Sequence, residues 1–485
     1  MSIKKSLAWM GLAQVATFIF QFGSSIVLAR YLTPAEMGVF AVGLATIAML
    51  ALFQTFGFQP LIVREKKLTP ALQATVFTAN AVSCICQTAT TFLFAIVGAS
   101  FLRDEGVKHV LQILAITPLF GILSFMPGAM LERNGRFKEV AIIGACTSLV
   151  GSGATIIFAV LGYKYMSLAY ANVIASLALS CSLIIVGWKY QMFRVDLSQW
   201  RHVFHFGFQM FAYSGVVSFS QRLSEIMLGR IAGLGMLGLY NRASGMNNML
   251  WGNIHHLVSR VMLVDFAKHH GSPETLRERY LKSAAVMTAV LWPAFAGLAV
   301  LSHPFIYLVY GAKWMPAAVP LIYLTIASMI LVAMTLSWEL FAATGNVASQ
   351  TRIEIVRTSI STPLFIAACF VNIETVAFTR IVDAILAYAL YRPHLQKMSG
   401  TKLRDFTGVY SKGALLTIAA ILPASLMMLF SKFDHPQFGM VILAVFSGIS
   451  LWGLALSQLD HPLKDELLAV WRRIGRFSPQ EESVE

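Results

Sequence analysis

The stretch LARYLTPAEMGVFAVGLATIAML, residues 28–50, returns two hundred residues later as LGRIAGLGMLGLYNRASGMNNML, residues 228–250. Each copy reads as the end of an apolar helix, an arginine, a short break with glycine, and a second apolar helix. A repeat at a fixed offset indicates internal duplication. In a membrane protein, duplication predicts a transporter built from two similar halves around a central site. The aligned pairs include Arg30 with Arg230 and Gly38 with Gly238.

The composition of the chain is that of a membrane protein. Hydrophobic residues make up 57% and charged residues 12% of the 485 positions, against about 45–50% and about 25% in soluble domains. We therefore predict an all-α polytopic membrane protein. Apolar stretches of about 20 residues predict fourteen spans, at 7–29, 37–60, 75–101, 109–131, 140–162, 165–188, 203–229, 237–259, 283–306, 316–341, 353–372, 373–391, 411–431 and 437–457.

The basic residues predict the orientation. With an even number of spans, both termini lie on one side of the membrane. Placing them in the cytoplasm puts most of the 37 lysines and arginines, Arg352 and Arg357 included, on the inner side, as the positive-inside rule requires. The net charge of +14 is spread over many short loops, which is typical of a topology signal and not of a nucleic-acid-binding face.

The repeat predicts the domain organisation. Its offset spans six helices, so spans 1 and 7 run in the same direction across the membrane. We predict two parallel-repeat lobes of six helices each, at 1–195 and 196–400. Spans 13 and 14, within 401–460, follow as an addition, and 461–485 is predicted to be a cytoplasmic tail.

The sequence contains no recognisable catalytic motif. Its five cysteines lie in apolar runs without metal-ligand spacing, and no Walker, GxSxG or HExxH sequence occurs. An enzyme alternative, a membrane polysaccharide polymerase or ligase, would need a long outer loop with catalytic residues, whereas the predicted outer loops are short. We expect a transporter and no metal or cofactor.

Charged residues inside span 7 are the sharpest functional signal. A charge inside a span costs about 2.5–3.5 kcal/mol on insertion scales, so it is usually paired or functional. Arg222 lies eight residues before Arg230, about 12 Å deeper in the membrane. It shares a helix face with Ser218 and Glu225. We expect an Arg222–Glu225 ion pair that either contacts substrate or locks span 7 to a neighbouring helix.

Polar side chains concentrate at the start of span 8. They predict either a hydrated wall that hydrogen-bonds sugar hydroxyls or a packing interface held by amides. The residues are Asn241, Arg242, Asn247 and Asn248, and the amides Gln21 and Gln221 match each other at the repeat offset. Further along span 8, His255 and His256 are predicted to lie near the inner water interface.

Other polar residues have structural interpretations. Glu339, near the inner end of span 10, is predicted to extend towards the interface. Trp314 is predicted to be an interfacial anchor. Arg380 and Asp383 are predicted to form a structural pair in span 12.

Four segments carry a resemblance to a known family: VLARYLTPAEMGVFAV (27–42), FGFQPLIVREKKLT (56–69), LGRIAGLGMLGLYNRAS (228–244) and YGAKWMPAAVPL (310–321). They resemble the polysaccharide transporter (Wzx-type flippase) family of the multidrug/oligosaccharidyl-lipid/polysaccharide exporter superfamily. The resemblance implies a V-shaped bundle of two six-helix lobes that works by alternating access. It also implies movement of undecaprenyl-diphosphate-linked oligosaccharide across the bacterial inner membrane through a cationic cavity.

We therefore predict a flippase for exopolysaccharide or lipopolysaccharide assembly. Its expected partners are the lipid-linked oligosaccharide, membrane lipids, and a polysaccharide polymerase with other assembly proteins. Arg222, with Arg30, Arg230 and Arg242, would hold phosphate or acidic sugar, and the amides would contact sugars. The alternative is a small-molecule (multidrug) exporter of the same superfamily coupled to Na⁺ or H⁺, which should carry a carboxylate deep in the first lobe. The glycan and any coupling ion stay open.

Overall fold

The computed structural model describes residues 3–52, 57–65, 67–102, 104–269, 272–430 and 438–475. Throughout this part of the chain the regular elements are helices, and no strand occurs in it. The predicted all-α class is therefore confirmed. A helix satisfies its backbone N–H and C=O groups internally, which is why long apolar segments adopt it in lipid.

The first ten helices run to residue 269. Their bounds are α1 Ile3–Tyr31, α2 Pro34–Ala51, α3 Phe58–Arg64, α4 Pro70–Leu102, α5 Glu105–Leu114, α6 Thr117–Arg133, α7 Phe137–Val160, α8 Met166–Val186, α9 Trp200–Ile231 and α10 Leu234–His269. A short 3-10 helix, Trp188–Tyr190, follows α8.

Nine further helices complete the described chain. They are α11 Pro273–Val300, α12 Ser302–Tyr310, α13 Ala318–Val332, α14 Ser337–Ala343, α15 Val347–Ala368, α16 Ile373–Ser399, α17 Thr407–Phe430, α18 Phe438–Gln458 and α19 Pro462–Gly475. Two 3-10 helices, Ala312–Ala317 and Leu403–Phe406, precede α13 and α17.

The chain is a multi-pass membrane protein. Among the described residues, nine segments are long and apolar enough to cross a membrane. The number of fourteen spans stays a prediction. Four of the predicted spans each extend over parts of two α-helices. These are 37–60 (α2 and α3), 109–131 (α5 and α6), 283–306 (α11 and α12) and 316–341 (α13 and α14).

The chain divides into two compact units. The first contains Met1–Asn241 and Cys369–Asn372, and the second contains Arg242–Ala368 and Ile373–Glu485. The division falls inside α10, so α9 and the first two turns of α10 belong to the first unit. The lobes predicted at 1–195 and 196–400, with 401–460 and 461–485 after them, are a different division and stay a prediction. Within 461–485, α19 occupies Pro462–Gly475, and 476–485 lies outside the described residues.

In the first unit, the two copies of the repeat touch through their glycines. A Cβ atom added to Gly38 would lie 1.8 Å from the carbonyl oxygen of Leu234, and one added to Gly238 would lie 1.9 Å from that of Pro34. The two contacts correspond to each other in the repeat, because adding two hundred to Gly38 gives Gly238 and adding it to Pro34 gives Leu234. At these two positions only a glycine lets the backbones approach so closely. We call this contact the glycine crossing.

The glycines of the crossing lie inside the second helix of each repeat copy. Gly38 and Gly238 lie in the early turns of α2 and α10. In the first copy the chain turns at Thr33, whose side chain caps α2 in a capping box with Glu36. In the second copy the turn is made at Gly233, which has a φ of 98°. The two copies therefore differ in the turn between their helices but share the glycine crossing.

In the second unit, the predicted span 316–341 is interrupted. Helix α13 ends at Val332 and α14 begins at Ser337. Between them Leu336 has a φ of 59°, in the left-handed region that a residue with a side chain rarely adopts. Such local strain is found preferentially at functional sites. The interruption sets the position of Glu339 in the first turn of α14.

Candidate functional site

The polar face of α9 contains the ion pair that the sequence predicted. The guanidinium of Arg222 donates through Nη1 to Oε2 of Glu225 at 3.0 Å. The two side chains are 37% and 26% exposed, respectively. A guanidinium has five N–H donors, so this pair leaves Arg222 with capacity to bind a further acceptor.

Buried and exposed side chains are interleaved along α9. Ser224, Ile226 and Leu228 are enclosed and α9 packs on α2, while Gln221 is exposed. A charge that faces lipid would be costly, so we expect the open face to border water. We call the residues Gln221, Arg222 and Glu225 the polar face of α9.

Two other predicted arginines end their helices. Arg30 is exposed in the last turn of α1, and Arg230 is half-buried in the last turn of α9. A cation is stabilised at a helix C-terminus by the partial negative charge there, which agrees with a helix-end role. Gln21 is exposed on α1 and Asn241 is half-buried in α10. Whether any of these four contacts substrate stays a prediction.

Arg242 occupies an aromatic cage in the second unit. Its guanidinium lies over the rings of Tyr310 and Trp314, at 4.4 Å and 4.7 Å from their centroids. Arg242 is buried, and Trp314 is 0% exposed. The prediction of Trp314 as an interfacial anchor was therefore wrong, because its ring is enclosed and stacks against the guanidinium of Arg242. A buried guanidinium stacked on two rings is positioned to join helices, so a role in phosphate binding stays only a prediction.

The amides of α10 divide between the two interpretations. Asn247 is buried and its Oδ1 accepts a hydrogen bond from Ser328 of α13 at 3.0 Å, which is the arrangement of a packing interface. Asn248 is exposed and donates to Ser244 at 3.3 Å, so it keeps access to solvent. The side chain of His256 lies outside the described residues.

Buried charges in the second unit were misplaced by the sequence. Glu339 is 1% exposed, so the prediction that it extends towards the interface was wrong. Arg357, assigned to the inner side, lies in the middle of α15. Its guanidinium is 3.0 Å from Glu354 and 3.8 Å from Asp383 of α16. The spacing of Glu354 and Arg357, three residues apart in an apolar run, is the signal that could have found this cluster.

Asp383 thus bridges two helices. The sequence paired it with Arg380 on its own helix, but its carboxylate faces Arg357 across the α15–α16 contact. The guanidinium of Arg380 lies over the ring of Phe365 at 4.2 Å. A side chain that reaches another helix lies beyond what the spacing along one helix can predict.

Each unit contains a cavity. In the first unit a cavity of about 360 Å³ is lined by polar groups of α3, α4 and α6, among them Gln59, Asn80, Ser124 and Glu132. In the second, a cavity of about 560 Å³ between α11, α13, α16 and α17 is almost wholly apolar. Among the described residues, no cluster of three or more histidine, cysteine and carboxylate side chains could hold a metal ion.

The family model described as "Polysaccharide biosynthesis protein" matches residues 27–319, which include both copies of the repeat. The chain belongs to the polysaccharide biosynthesis protein family. The resemblance read from the four sequence segments is confirmed at the level of this family.

Two relatives match a larger part of the chain. An "Uncharacterized membrane protein in cps region" of Klebsiella pneumoniae is 20% identical over 477 residues, 97% of this chain and 98% of that protein. The "Lipopolysaccharide biosynthesis protein WzxC" of Escherichia coli K12 is 24% identical over 312 residues, 63% of each chain. Both are similar to this chain at a level that supports a common family.

A solved structure supports the fold. The "Lipid II flippase MurJ, inward closed conformation" superimposes with a TM-score of 0.73, at 14% identity, over 92% of this chain and 98% of that one. At this identity the likeness concerns the fold alone. The chain therefore shares the helical fold of that protein.

Proposed function

We propose that this protein is a flippase that moves an undecaprenyl-diphosphate-linked oligosaccharide from the inner to the outer leaflet of the bacterial inner membrane. In this proposal fourteen spans form two parallel-repeat lobes and two added helices, both termini lie in the cytoplasm, and transport occurs by alternating access. The names of WzxC, a lipopolysaccharide biosynthesis protein, and of MurJ, a lipid II flippase, support a glycolipid substrate. A polysaccharide polymerase and other assembly proteins are the proposed partners.

The polar face of α9 is the observation that carries the proposal. Arg222 and Glu225 are partly exposed and lie in the predicted span 203–229, where charges persist when they serve a function or a pair. Their mutual contact makes the pair neutral overall. A neutral pair offers both N–H donors and carboxylate acceptors, which suits sugar hydroxyls better than a bare diphosphate. We assign the pair to the oligosaccharide and expect a phosphate to require other cations.

The apolar cavity of the second unit suits a lipid tail. The indole N–H of Trp292 donates to the carbonyl of Met329 at 2.9 Å, and the hydroxyl of Tyr410 donates to that of Ala333 at 2.8 Å. Both polar atoms are therefore satisfied by the backbone, and the rings present apolar surface. A cavity of about 560 Å³ is in the size range of ligand sites, and it would hold part of a prenyl chain.

An exchange of Arg222 tests the proposal. In a strain that lacks the gene, Arg222→Ala should restore surface polysaccharide to about a tenth to a hundredth of the wild-type level. This range follows from the roughly 1.5–3 kcal/mol of a hydrogen bond to a charged group at 1.4 kcal/mol for each tenfold change. Arg404→Ala, at an exposed arginine, is the matched control and should restore full export.

Lipid-linked intermediates distinguish flipping from synthesis. The deletion strain should accumulate complete oligosaccharide units on the cytoplasmic face of the membrane. Shorter, unfinished units would indicate an enzyme and would overturn the proposal. Full export by Arg222→Ala at normal protein level would show that Arg222 does not bind the substrate.

A cation-coupled exporter of small molecules is the second candidate. Glu132, which lines the polar cavity of the first unit, is the observation that favours it, because such an exporter should carry a carboxylate in its first lobe. If the deletion strain exports polysaccharide normally and loses resistance to a toxic small molecule, the exporter is the better assignment.

A further inference from the structure

Glu339 is a buried carboxyl group that the proposed substrate contacts do not use. Its side chain is 1% exposed and its neighbours in sequence, Leu336, Leu340 and Phe341, are also buried. Oε1 accepts a short hydrogen bond from the hydroxyl of Ser259. Oε2 is buried and has no hydrogen-bond partner in the described part of the chain. A buried carboxylate in such surroundings is strongly disfavoured unless a cation or a proton neutralises it.

One face of α10 lies next to this carboxyl group. Trp251, His255 and Ser259 follow each other at intervals of four residues, so they lie on one side of the helix. Nε2 of His255 is 3.9 Å from Oε1 of Glu339. The indole of Trp251 stacks on the imidazole, with centroids 5.4 Å apart and planes 15° from parallel. The imidazole is therefore held in place beside the carboxyl group.

His255 also connects the carboxyl group with the outside of the unit. Its side chain is 20% exposed, whereas Glu339 is enclosed. An imidazole is the side chain best suited to accept and return a proton near neutral pH. A proton can thus reach the buried group through a single residue.

Among the described residues, no arginine or lysine side chain forms an ion pair with Glu339. Helix α14 packs on α15 and α16. On α15, Glu354 and Arg357 bind each other. On α16, the guanidinium of Arg392 lies over the ring of Phe406 at 4.5 Å. In the described part of the chain, Tyr280 of α11 also interacts electrostatically with Glu339.

We infer that Glu339, His255 and Ser259 form a proton-binding site in which Glu339 is a neutral carboxylic acid and His255 exchanges its proton with water. On release, the O–H bond of Glu339 breaks, an N–H bond forms at Nε2 of His255, and the imidazolium then gives the proton to water. Ca²⁺ and Mg²⁺ take about six or more oxygen ligands, and among the described side chains the carboxyl group and the Ser259 hydroxyl supply three. This count favours a proton over a divalent metal ion.

The site would make the proton the coupling ion of transport, and that role rests on the proposed function. Loss of the proton leaves a charged carboxylate at the start of α14, beside the strained residue Leu336. Such a charge disfavours the enclosed position of Glu339 and so favours a conformation in which α14 is hydrated. Proton release would thereby shift α14 from the enclosed arrangement towards the hydrated one.

Infrared difference spectroscopy of the purified protein tests proton binding without any transport substrate. At about pH 7 exposed carboxyl groups are ionised, so the carbonyl stretch of a neutral carboxylic acid reports a buried one. Wild type and Glu105→Gln, a control at an exposed carboxylate, should both show this band. Glu339→Gln should lack it. Absence of the band in wild type, or its persistence in Glu339→Gln, would overturn the inference.

A second variant, Ser259→Ala, tests the inference independently if Glu339→Gln does not fold. Ser259→Ala keeps the acid but removes its hydrogen-bond donor, so the band should remain and move to higher frequency. An unmoved band would show that the acid is not Glu339. Addition of Na⁺ at constant pH should leave the band unchanged, and its disappearance would instead assign the site to sodium.

Export measurements separate this inference from the proposed function. Glu339→Gln should lower surface polysaccharide at least about tenfold, whereas Glu105→Gln should leave it unchanged. If the band behaves as expected but the deletion strain exports normally, the proposed function fails and the proton site stands. If export requires Arg222 but wild type shows no band, the proton site fails and the flippase proposal stands. Full export by Glu339→Gln would show that proton binding at Glu339 does not drive transport.

Discussion

The glycine crossing of the first unit allows a quantitative test of how the two repeat copies are held together. Gly238→Ala would place a Cβ atom 1.9 Å from the carbonyl oxygen of Pro34. Ordinary van der Waals contact begins at 3.4 Å, so α2 and α10 would have to separate by about 1.5 Å. Gly38→Ala produces the same conflict with Leu234. The obstacle in both cases is backbone, which cannot rotate away.

The expected cost follows from this separation. Overpacking a tight contact typically destabilises a protein by about 1–3 kcal/mol, and we expect each single variant to fall in that range. One separation of the helices relieves both conflicts, because the two contacts are images of each other. The double variant should therefore cost little more than either single variant. The coupling energy should be about 1–3 kcal/mol, well above the 0.3–0.5 kcal/mol scatter of independent sites.

Thermal denaturation in detergent and export in the deletion strain are the assays. Gly235→Ala is the matched control, since it lies one turn before Gly238 on the same helix and a Cβ there meets nothing within 4 Å. Glycine in a helix is less stable than alanine by about 0.5–1 kcal/mol, so the control should be neutral or stabilised. Wild-type stability in Gly238→Ala, or strictly additive losses in the double variant, would refute the reasoning.

Two further predictions concern Trp314 and His461. Trp314→Ala should lower the free energy of unfolding by about 3–5 kcal/mol, the range for truncation of a buried aromatic to alanine, because Arg242 also loses one of its two rings. Thermal denaturation measures this loss, Trp314→Phe keeps a ring and should lose less, and equal losses would contradict the aromatic cage. Burial, and then the nearby Lys412, lower the pKa of His461 below its ordinary value of 6.5, and its Nδ1 accepts the N–H of Leu463 as the cap of α19 at 3.1 Å. The unfolded chain binds that proton more readily, so this stabilisation is present above about pH 6.5 and is lost as the pH falls through the lower folded value. Hydrogen exchange in α19, corrected for its intrinsic rate, should quicken on acidification, and His461→Asn, which retains a capping oxygen, should remove the dependence.

The ion pairs show how far spacing along one helix can predict a site. Arg222 and Glu225 lie three residues apart in one apolar run, and they form the expected bond. The same rule paired Asp383 with Arg380, yet Asp383 faces Arg357 on the neighbouring helix. Local spacing determines which side chains can meet on a helix face. It contains no information about which face of another helix lies opposite.

The buried residues mark the same limit. Trp314 and Glu339 both stand near predicted span ends, where an aromatic ring or a long acidic side chain commonly reaches the interface. Both are enclosed and contact distant helices, Trp314 at Arg242 and Glu339 at Ser259. Each depends on a chain segment far away in sequence. Hydropathy averaged along the chain does not report such enclosure.

The sequence by itself determined that the chain is helical, that it crosses a membrane many times, and that it contains two related copies of one segment. These properties depend on apolar run lengths and on a fixed offset, which are local or linear features of the chain. The tertiary structure alone decided that the copies touch at Gly38 and Gly238, that Arg242 is caged, and that Glu339 faces His255. Those contacts depend on how helices pack, and packing joins residues whose separation along the chain has no period to detect.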